Sequence, residues 1–336
     1  MRNMKEIRWG ILGASKIAFE QVIPAMLKSK NTKLLAIASR DIDKAKLFSQ
    51  KYSIQKVYNN YEQLISDPEI DAIYIPLPNH LHVPYSIKCL NAGKHVLCEK
   101  PISIKAKEVL DLIEIQKKNR RIFSEAYMVR FHPQWIKTKE LIDNGAIGKL
   151  TGIQGMFSYY NVDPKNIRND ASIGGGGLLD IGVYPIVTSR YVLGCEPEKV
   201  IALVDYDKKF KTDILATAIL KFGSVQMSFI CSTQSHLMQH MRFIGSEGRL
   251  EIPVPFNPVA DEISKIFLWK NVHHPSKEPD RIDIKKADQY TIQIEEMNTC
   301  ILNDRPFPFD LNDSYKNMKI IDSIFKSSQT QSWEVI

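Results

Sequence analysis

The amino-terminal third of the chain alternates short apolar runs with segments of helical periodicity, and this alternation constrains the fold more than any other feature. Strands separated by helix-length segments run parallel, because the helix carries the chain back across the sheet. The pattern predicts an α/β Rossmann domain, a doubly wound parallel sheet. Its predicted strands are 7–12, 34–39, 57–58, 72–75, 94–98 and 122–124.

The rest of the chain has a different pattern, in which predicted strands follow one another through tight connections such as Gly223-Ser224. Such a succession predicts an α+β domain with a large, mostly antiparallel open sheet. We therefore expect a dinucleotide-binding domain at 1–123 and a substrate-binding and oligomerisation domain at 124–336. A stretch at 253–258 is interpreted as a surface loop. The strands predicted here are 153–160, 200–206, 214–222, 225–232, 241–244 and 249–252.

Composition argues against several other classes of protein. The net charge is +7, but the lysines are dispersed and form no basic stripe with interleaved aromatics, so no nucleic-acid partner is predicted. No apolar run reaches membrane-spanning length, and the first residues lead into a strand without a signal peptide. The five cysteines form no C-x-x-C pair, so we expect no metal site, no disulfide framework and a cytoplasmic location.

A glycine turn follows the first predicted strand and leads into a helical pattern. The stretch Gly13-Ala14-Ser15-Lys16-Ile17, ending at Ala18, is a degenerate form of the G-x-G-x-x-G/A fingerprint, with serine at the central glycine. In this context a glycine permits the tight turn, and the amides at the helix start can face a pyrophosphate. The sequence therefore predicts a dinucleotide site at residues 13–17.

The end of the second predicted strand bears on the choice of cofactor. Ser39 and Arg40 stand where NAD-binding proteins place a carboxylate for the ribose 2′-hydroxyl. A hydroxyl and a guanidinium suit a 2′-phosphate, because arginine offers a planar fork of donors. NADP(H) is therefore favoured, while Asp41 keeps NAD(H) possible.

A lysine follows the fifth predicted strand in the motif Glu99-Lys100-Pro101. It lies at the carboxyl end of a parallel strand, where open sheets of this kind bind their ligands. Lys100 is therefore a candidate catalytic residue.

Four consecutive glycines at 174–177 precede a second candidate cluster. Asp180 and Tyr184 are spaced i to i+4, so on a helix they share a face and can act together with Lys100. The alternative is that Asp180 caps the helix and Tyr184 belongs to the core. Pro185 is expected to kink or end this first helical piece.

Taken together, these motifs resemble the glucose-fructose oxidoreductase / inositol dehydrogenase / rhizopine catabolism (Gfo/Idh/MocA) family. The resemblance extends over essentially the whole chain and includes Pro78-Asn79 with His82. It implies that Pro78, Asn79, His82, Glu99 and Arg168 approach the cofactor, although His82 can also be a helix residue unrelated to the chemistry. Many members carry histidine at the position of Tyr184. In having tyrosine there, the chain resembles the branch of the family that contains dihydrodiol dehydrogenase, xylose dehydrogenase and keto-sugar reductases.

The resemblance implies reversible hydride transfer at a hydroxyl or carbonyl carbon of a sugar, keto-sugar or cyclic polyol. Tyr184 is expected to act as acid–base group, Lys100 to donate to the substrate oxygen, and Asp180 to bind the substrate or hold the lysine. Tyr159 is expected to line the substrate pocket. The alternative is a non-catalytic NAD(P)-binding sensor or regulatory protein on the same fold. Both faces of strand 214–222 are substantially apolar, so we expect a homodimer or homotetramer through the open sheet.

Overall fold

The computed structural model describes residues 6–270 and 277–336, and the chain divides into two compact units. The first unit comprises the chain up to Met128 together with Gln289–Tyr315; the second comprises Val129–Asp288 with Lys316–Ile336. The predicted domain boundary follows residue 123, whereas in the structure residues 289–315 from late in the chain return to the first unit. The prediction that no signal peptide is present concerns the start of the chain, and residues 1–5 lie outside the described residues.

The first unit contains a sheet of six parallel strands, and the predicted Rossmann fold is confirmed. The strands are β1 (Ile7–Leu12), β2 (Thr32–Ala38), β3 (Lys56–Tyr58), β4 (Ala72–Ile75), β5 (His95–Cys98) and β6 (Phe123–Glu125). They lie in the order β3-β2-β1-β4-β5-β6. The order reverses between β1 and β4, and ligands of such sheets bind at the carboxyl ends of the strands at this point.

Two helices of the first unit begin where a polar side chain satisfies a free backbone amide. Asp41 accepts from Lys44 N (3.1 Å) and Asn60 from Gln63 N (2.9 Å), each at the start of a helix. A π-helical turn at Ala18–Val22 leads into the first helix. The helices are α1 (Ile23–Lys28), α2 (Ile42–Tyr52), α3 (Tyr61–Ser66), α4 (His82–Asn91) and α5 (Ala106–Asn119), with α8 (Gln289–Leu302) from the end of the chain.

A buried hydrogen bond explains why α8 belongs to the first unit. The indole nitrogen of Trp9, on β1, donates to the amide oxygen of Asn298 at 2.9 Å. Trp9 is fully buried, and a buried indole N–H without a partner is costly. The same Asn298 amide donates to Lys30 O and to the hydroxyl of Thr32.

The second unit contains a mixed sheet of nine strands among the described residues. They are β7 (Leu150–Tyr160), β8 (Lys199–Tyr206), β9 (Asp213–Phe222), β10 (Val225–Ser232), β11 (Gln234–Gly245), β12 (Gly248–Ile252), β13 (Ser264–Lys270), β14 (Asp280–Ile284) and β15 (Glu334–Val335). Their order is β14-β13-β12-β11-β7-β10-β9-β8-β15. All neighbours are antiparallel except β7 and β10, which confirms the predicted mostly antiparallel sheet. Strands β13, β14 and β15 were not predicted.

The remaining helices are α6 (Pro133–Asp143), α7 (Val183–Leu193) and α9 (Leu311–Thr330). Pro185 was expected to kink or end a first helical piece, and the helix does not end there. A π-helical turn at Leu178–Gly182 runs directly into α7, and Pro185 is the third residue of that helix. Proline removes one hydrogen bond from the interior of a helix, and the change from the π-helical turn to the α-helix falls just before Pro185. Within 6–270 and 277–336, no helix has the length and apolar character needed to cross a membrane.

The interpretation of 253–258 as a surface loop was wrong for part of the stretch. Phe256 is fully buried, and its ring stacks on Phe157 with centroids 5.0 Å apart. Pro255 O accepts hydrogen bonds from the indole of Trp135 (2.8 Å) and from the side-chain amide of Gln134 (2.9 Å). The stretch therefore contributes a core aromatic to the second unit.

Candidate active site

The glycine turn after β1 adopts the geometry that the fingerprint requires. Gly13 has φ +114°, and a β-carbon there would come within 2.9 Å of the Leu77 side chain. Ser15 stands at the central glycine position, and its hydroxyl accepts from Ala18 N at 3.2 Å, where the π-helical turn begins. Leu77 follows β4, so the turn lies beside the point at which the strand order reverses. This is the site expected for a dinucleotide pyrophosphate.

The other members of the fingerprint lie around this turn. Ala14 is buried and Ile17 is half-buried, whereas Lys16 is exposed, with its ammonium 3.8 Å from Glu20. The structure thus places residues 13–17 together between β1 and the helical segment that follows it.

The residues after β2 have separate tasks. Ser39 is buried and its hydroxyl accepts from Asp41 N at 3.1 Å, while the Asp41 carboxylate caps α2. Arg40 is exposed. Burial raises the pKa of Tyr61, and the nearby charge of Arg40 opposes that rise. The guanidinium of Arg40 therefore lies at the end of β2, while the carboxylate of Asp41 caps α2.

Lys100 lies in the turn after β5 and is half-buried. The preceding carboxylate of Glu99 accepts a 2.6 Å hydrogen bond from the hydroxyl of Tyr74, a fully buried residue of β4. Its other oxygen lies 3.3 Å from Lys100 N. Two neighbouring strands thus fix the backbone from which Lys100 projects.

Two more buried side chains hold the same turn. The ring nitrogens of His82 lie 2.7 Å from Pro101 O and 2.7 Å from Leu77 O. Glu125, the last residue of β6, accepts from Ile102 N at 2.8 Å. Burial lowers the pKa of His82 to about 4, although both carbonyl contacts favour the protonated ring. His82 therefore joins the loop after β4 to the loop after β5.

Pro78 and Asn79, which the family resemblance assigns to the cofactor, are half-buried in the loop after β4. Asn79 begins a single 3₁₀ turn that leads into α4, and Leu81 N closes this turn on Pro78 O at 2.9 Å. The structure thus brings residues 78 and 79 to the same sheet edge as the glycine turn.

In the second unit, three predicted residues form one hydrogen-bonded cluster. A single oxygen of Asp180 accepts from the hydroxyl of Tyr159 at 2.6 Å and from Arg168 Nε at 2.7 Å. The Asp180 charge raises the pKa of Arg168, and burial followed by the same carboxylate raises that of Tyr159. Arg168 keeps 43% of its side chain exposed, so the cluster reaches the surface of the unit.

Tyr184 lies on α7 in an aromatic environment. It is 5% exposed, and its ring centroid lies 5.7 Å from that of Phe157 and 5.5 Å from that of Phe256. Its phenol lies close enough to Arg168 to influence that residue's pKa. The packing against these two rings fixes the position of the Tyr184 ring.

The glycine run at 174–177 lets its backbone lie unusually close to neighbouring groups. A β-carbon on Gly175 would come within 2.6 Å of Arg168 O and 2.7 Å of Asp170 O. The next glycines enclose the carboxylate of Asp213, a residue that sequence reasoning missed. An aspartate opening an otherwise apolar strand was the available signal. No cluster of metal-ligating residues is found in the described part of the chain.

Comparison with known proteins covers both units. Residues 7–127 match the Gfo/Idh/MocA family model, described as an oxidoreductase family with an NAD-binding Rossmann fold. Residues 135–251 match the C-terminal domain model of the same family. The chain is similar to an uncharacterized oxidoreductase of Rhizobium meliloti, with 40% identity over 99% of this chain and all of that protein.

Relatives with named activities are more distant. A D-xylose 1-dehydrogenase (NADP⁺) of Haloferax volcanii is 30% identical over 96% of this chain and 97% of its own length. A solved 3-ketoreductase from Actinomadura kijaniata, in complex with NADP and TDP-benzene, superposes with a TM-score of 0.90 at 28% identity. That superposition covers 96% of this chain and 98% of the reductase.

Proposed function

The chain belongs to the Gfo/Idh/MocA oxidoreductase family, and from that membership we propose that it is an NADP(H)-dependent oxidoreductase acting on a sugar, keto-sugar or related cyclic polyol. The reaction interconverts a hydroxyl and a carbonyl carbon. The observation that carries the proposal is the Lys100 turn, where Tyr74, His82 and Glu125 hold the chain from which this lysine projects at the carboxyl edge of the Rossmann sheet. A lysine with no chemical task does not need so many buried contacts around its backbone.

The residues present fit a dinucleotide. The turn at Gly13 has no room for a side chain, and backbone amides at the following helix start suit a pyrophosphate. Ser39 and Arg40 would take the 2′-phosphate, and Asp41 is engaged as a helix cap, which supports NADP(H) over NAD(H). Pro78, Asn79 and Glu99 would position the nicotinamide end.

Each proposed catalytic residue has a task that its surroundings support. When bound, the nicotinamide supplies or accepts the hydride. Tyr184 exchanges a proton with the substrate oxygen, and Lys100 donates a hydrogen bond to that oxygen and stabilises its developing charge. Asp180, held by Tyr159 and Arg168, accepts hydrogen bonds from substrate hydroxyls.

His82 is assigned a holding role in place of direct contact with the cofactor. Both of its ring nitrogens face backbone carbonyls of this chain, and the side chain is 1% exposed. Arg168, which the family resemblance assigns to the cofactor, contacts Asp180 in its own unit. We assign it to the substrate cluster as well.

An NADPH-oxidation assay tests the function directly. The purified protein is mixed with NADPH and a panel of free keto-sugars, nucleotide-linked keto-sugars and cyclic diols, and absorbance is followed at 340 nm. Turnover of one class that Lys100→Ala abolishes supports the proposal. Tight NADPH binding without turnover of any class would instead support the sensor alternative.

The exposed face of the second sheet supports self-association. Leu203 is 75% exposed, and Leu215, Ile219 and Ile230 on the same face are each more than a third exposed. Adjacent apolar side chains on a sheet face are typical of protein–protein contacts. We propose that the protein forms a homodimer or homotetramer through this face. We also propose a cytoplasmic location, where the five free cysteines stay reduced. Light scattering at micromolar concentration tests the self-association, and a monomer mass would contradict it.

A further inference from the structure

A buried carboxylate lies beneath the glycine run and outside the residues assigned so far. Asp213 is the first residue of β9 and is 3% exposed. Its Oδ2 accepts from Leu178 N at 2.6 Å, and Gly177 N also donates to the carboxylate. The helical segment 178–193 starts at these amides, and it carries both Asp180 and Tyr184.

The glycine run is shaped around this carboxylate. Gly176 has φ +125°, and a β-carbon there would lie 1.9 Å from Asp213 Oδ1. A β-carbon on Gly177 would lie 3.4 Å from Oδ2. The residue at the helix cap is therefore a glycine without a capping side chain, and Asp213 provides the cap from another strand.

Burying the ionised carboxylate of Asp213 costs free energy that burying a neutral amide would not. Burial raises the pKa of Asp213 to about 6, against the effect of the amides that donate to it. Four titratable groups act on it or feel its charge: Asp180 from the helical segment, Tyr159 from β7, Tyr206 from β8 and Cys231 from β10. Asparagine would fill the same volume without burying a charge. A charge retained at such a position implies a task in the site.

We infer that Asp213 is a positioning residue, whose carboxylate fixes the first turn of segment 178–193 and thereby the side chains of Asp180 and Tyr184. The inference rests on the function proposed above, because those two residues act in the proposed reaction. A helix start held by an ionised cap is better fixed than one held by a neutral side chain, since charged acceptors bind amides more strongly.

Asp213→Asn tests the inference, because it keeps the size of the side chain and one acceptor oxygen but removes the charge. We expect kcat to fall by about tenfold to a hundredfold, the scale for misplacing reacting groups by about 1 Å. The KM for NADPH should stay unchanged. Wild-type kcat should also fall as the pH drops through about 6, and the variant should lack that dependence.

The matched control is Asp207→Asn, in the turn before β9. Asp207 also accepts from two amides, Lys209 N and Phe210 N, but it is half-buried and caps no helix of the site. Asp207→Asn should leave kcat within about twofold, since a change outside the core and away from the site has a small effect. The positioning role would be overturned if Asp213→Asn kept the kcat of the wild type. It would also be overturned if kcat fell in this variant while its pH profile stayed that of the wild type.

Two measurements need no substrate and separate this inference from the proposed function. Amide hydrogen exchange of Leu178 and Gly177 should be at least about tenfold faster in Asp213→Asn, as expected for a weakened helix start. Because the pKa of Asp213 is raised by folding, the wild-type melting temperature should fall relative to the variant as pH rises from about 4 to about 6. If the wild type turns over no sugar, the proposed function fails. If amide exchange at Leu178 and Gly177 is unchanged in Asp213→Asn, the inference that Asp213 fixes the start of the helical segment fails.

Discussion

The hydroxyl of Tyr159 donates a 2.6 Å hydrogen bond to the same Asp180 oxygen that accepts from the guanidinium of Arg168. One carboxylate oxygen therefore serves a phenol and a cation at once. A carboxylate paired with a guanidinium is stabilised in its ionised form and is a poor proton donor. The relationship favours Tyr184 over Asp180 as the acid–base group.

The first prediction compares these two residues. Tyr184→Phe keeps the ring packing against Phe157 and Phe256 but removes the hydroxyl. We expect kcat to fall by about a hundredfold to ten-thousandfold, the span for a general acid–base group, and the matching limb of the pH profile to disappear. Asp180→Asn should cost less. Tyr160→Phe, at an exposed tyrosine, is the control. Greater damage from Asp180→Asn, with the pH limb retained in Tyr184→Phe, would reverse the assignment.

The second prediction concerns Lys100. Lys100→Ala should preserve folding and NADPH affinity, because the turn is held through its backbone and through Glu99. Turnover should fall by at least about a hundredfold, the scale for losing one electrostatic stabiliser of the transition state. Steady-state kinetics with Lys107→Ala, an exposed lysine of α5, as control measures it. Near-normal turnover in Lys100→Ala would refute the role.

The third prediction concerns cofactor choice. Arg40→Ala should weaken NADP(H) binding by roughly tenfold or more, since a hydrogen bond to a charged group contributes about 1.5–3 kcal/mol. NAD(H) binding should change little, because it has no 2′-phosphate. Titration of both cofactors, with Lys46→Ala on α2 as control, measures the difference. A wild-type preference for NAD(H) would contradict the interpretation of Ser39 and Arg40.

The fourth prediction concerns the buried imidazole. Folding lowers the pKa of His82 to about 4, below its unfolded value of about 6.5, so the unfolded chain takes up the proton first as pH falls. The stabilisation is full above about pH 6.5 and declines toward pH 4, by up to about 3 kcal/mol for this shift.

Denaturant unfolding at pH 7.5 and pH 5 measures this dependence in the wild type and in His82→Gln. His95 and His132, whose pKa values burial also lowers to about 4, share the window, so the wild-type-minus-variant difference isolates His82. The exposed His80→Gln is the control. An equal loss of stability in wild type and His82→Gln would contradict the prediction.

The sequence predicted the Rossmann sheet well because its strands are short, continuously apolar and separated by helix caps such as Asp41 and Asn60. It was less informative where partners are distant in the chain. Asp213 caps a helix 35 residues before it, and Phe256 enters the core from an irregular, proline-rich stretch without helix or strand periodicity. Local patterns cannot reveal such contacts, since they depend on tertiary packing.

The site residues show the same limit. Residue type and spacing selected Asp180, Tyr159 and Arg168, but not the shared carboxylate oxygen that joins them. Likewise the Glu99-Lys100-Pro101 motif pointed to Lys100, while the buried groups that hold its turn are Tyr74 of β4, His82 at the start of α4 and Glu125 at the end of β6. Motifs identify the reacting groups; the structure identifies what fixes them.

The bond between Trp9 and Asn298 has a consequence for biosynthesis. The ribosome makes the Rossmann strands first, but the helix that seals the indole of β1 emerges only after eight of the nine described strands of the second sheet, β7 to β14, have been synthesised. A nascent chain ending at Met128 would leave this indole without its acceptor. The earliest part of the polypeptide is therefore completed by nearly the last, and a truncated fragment 1–128 is a poor choice for isolated expression.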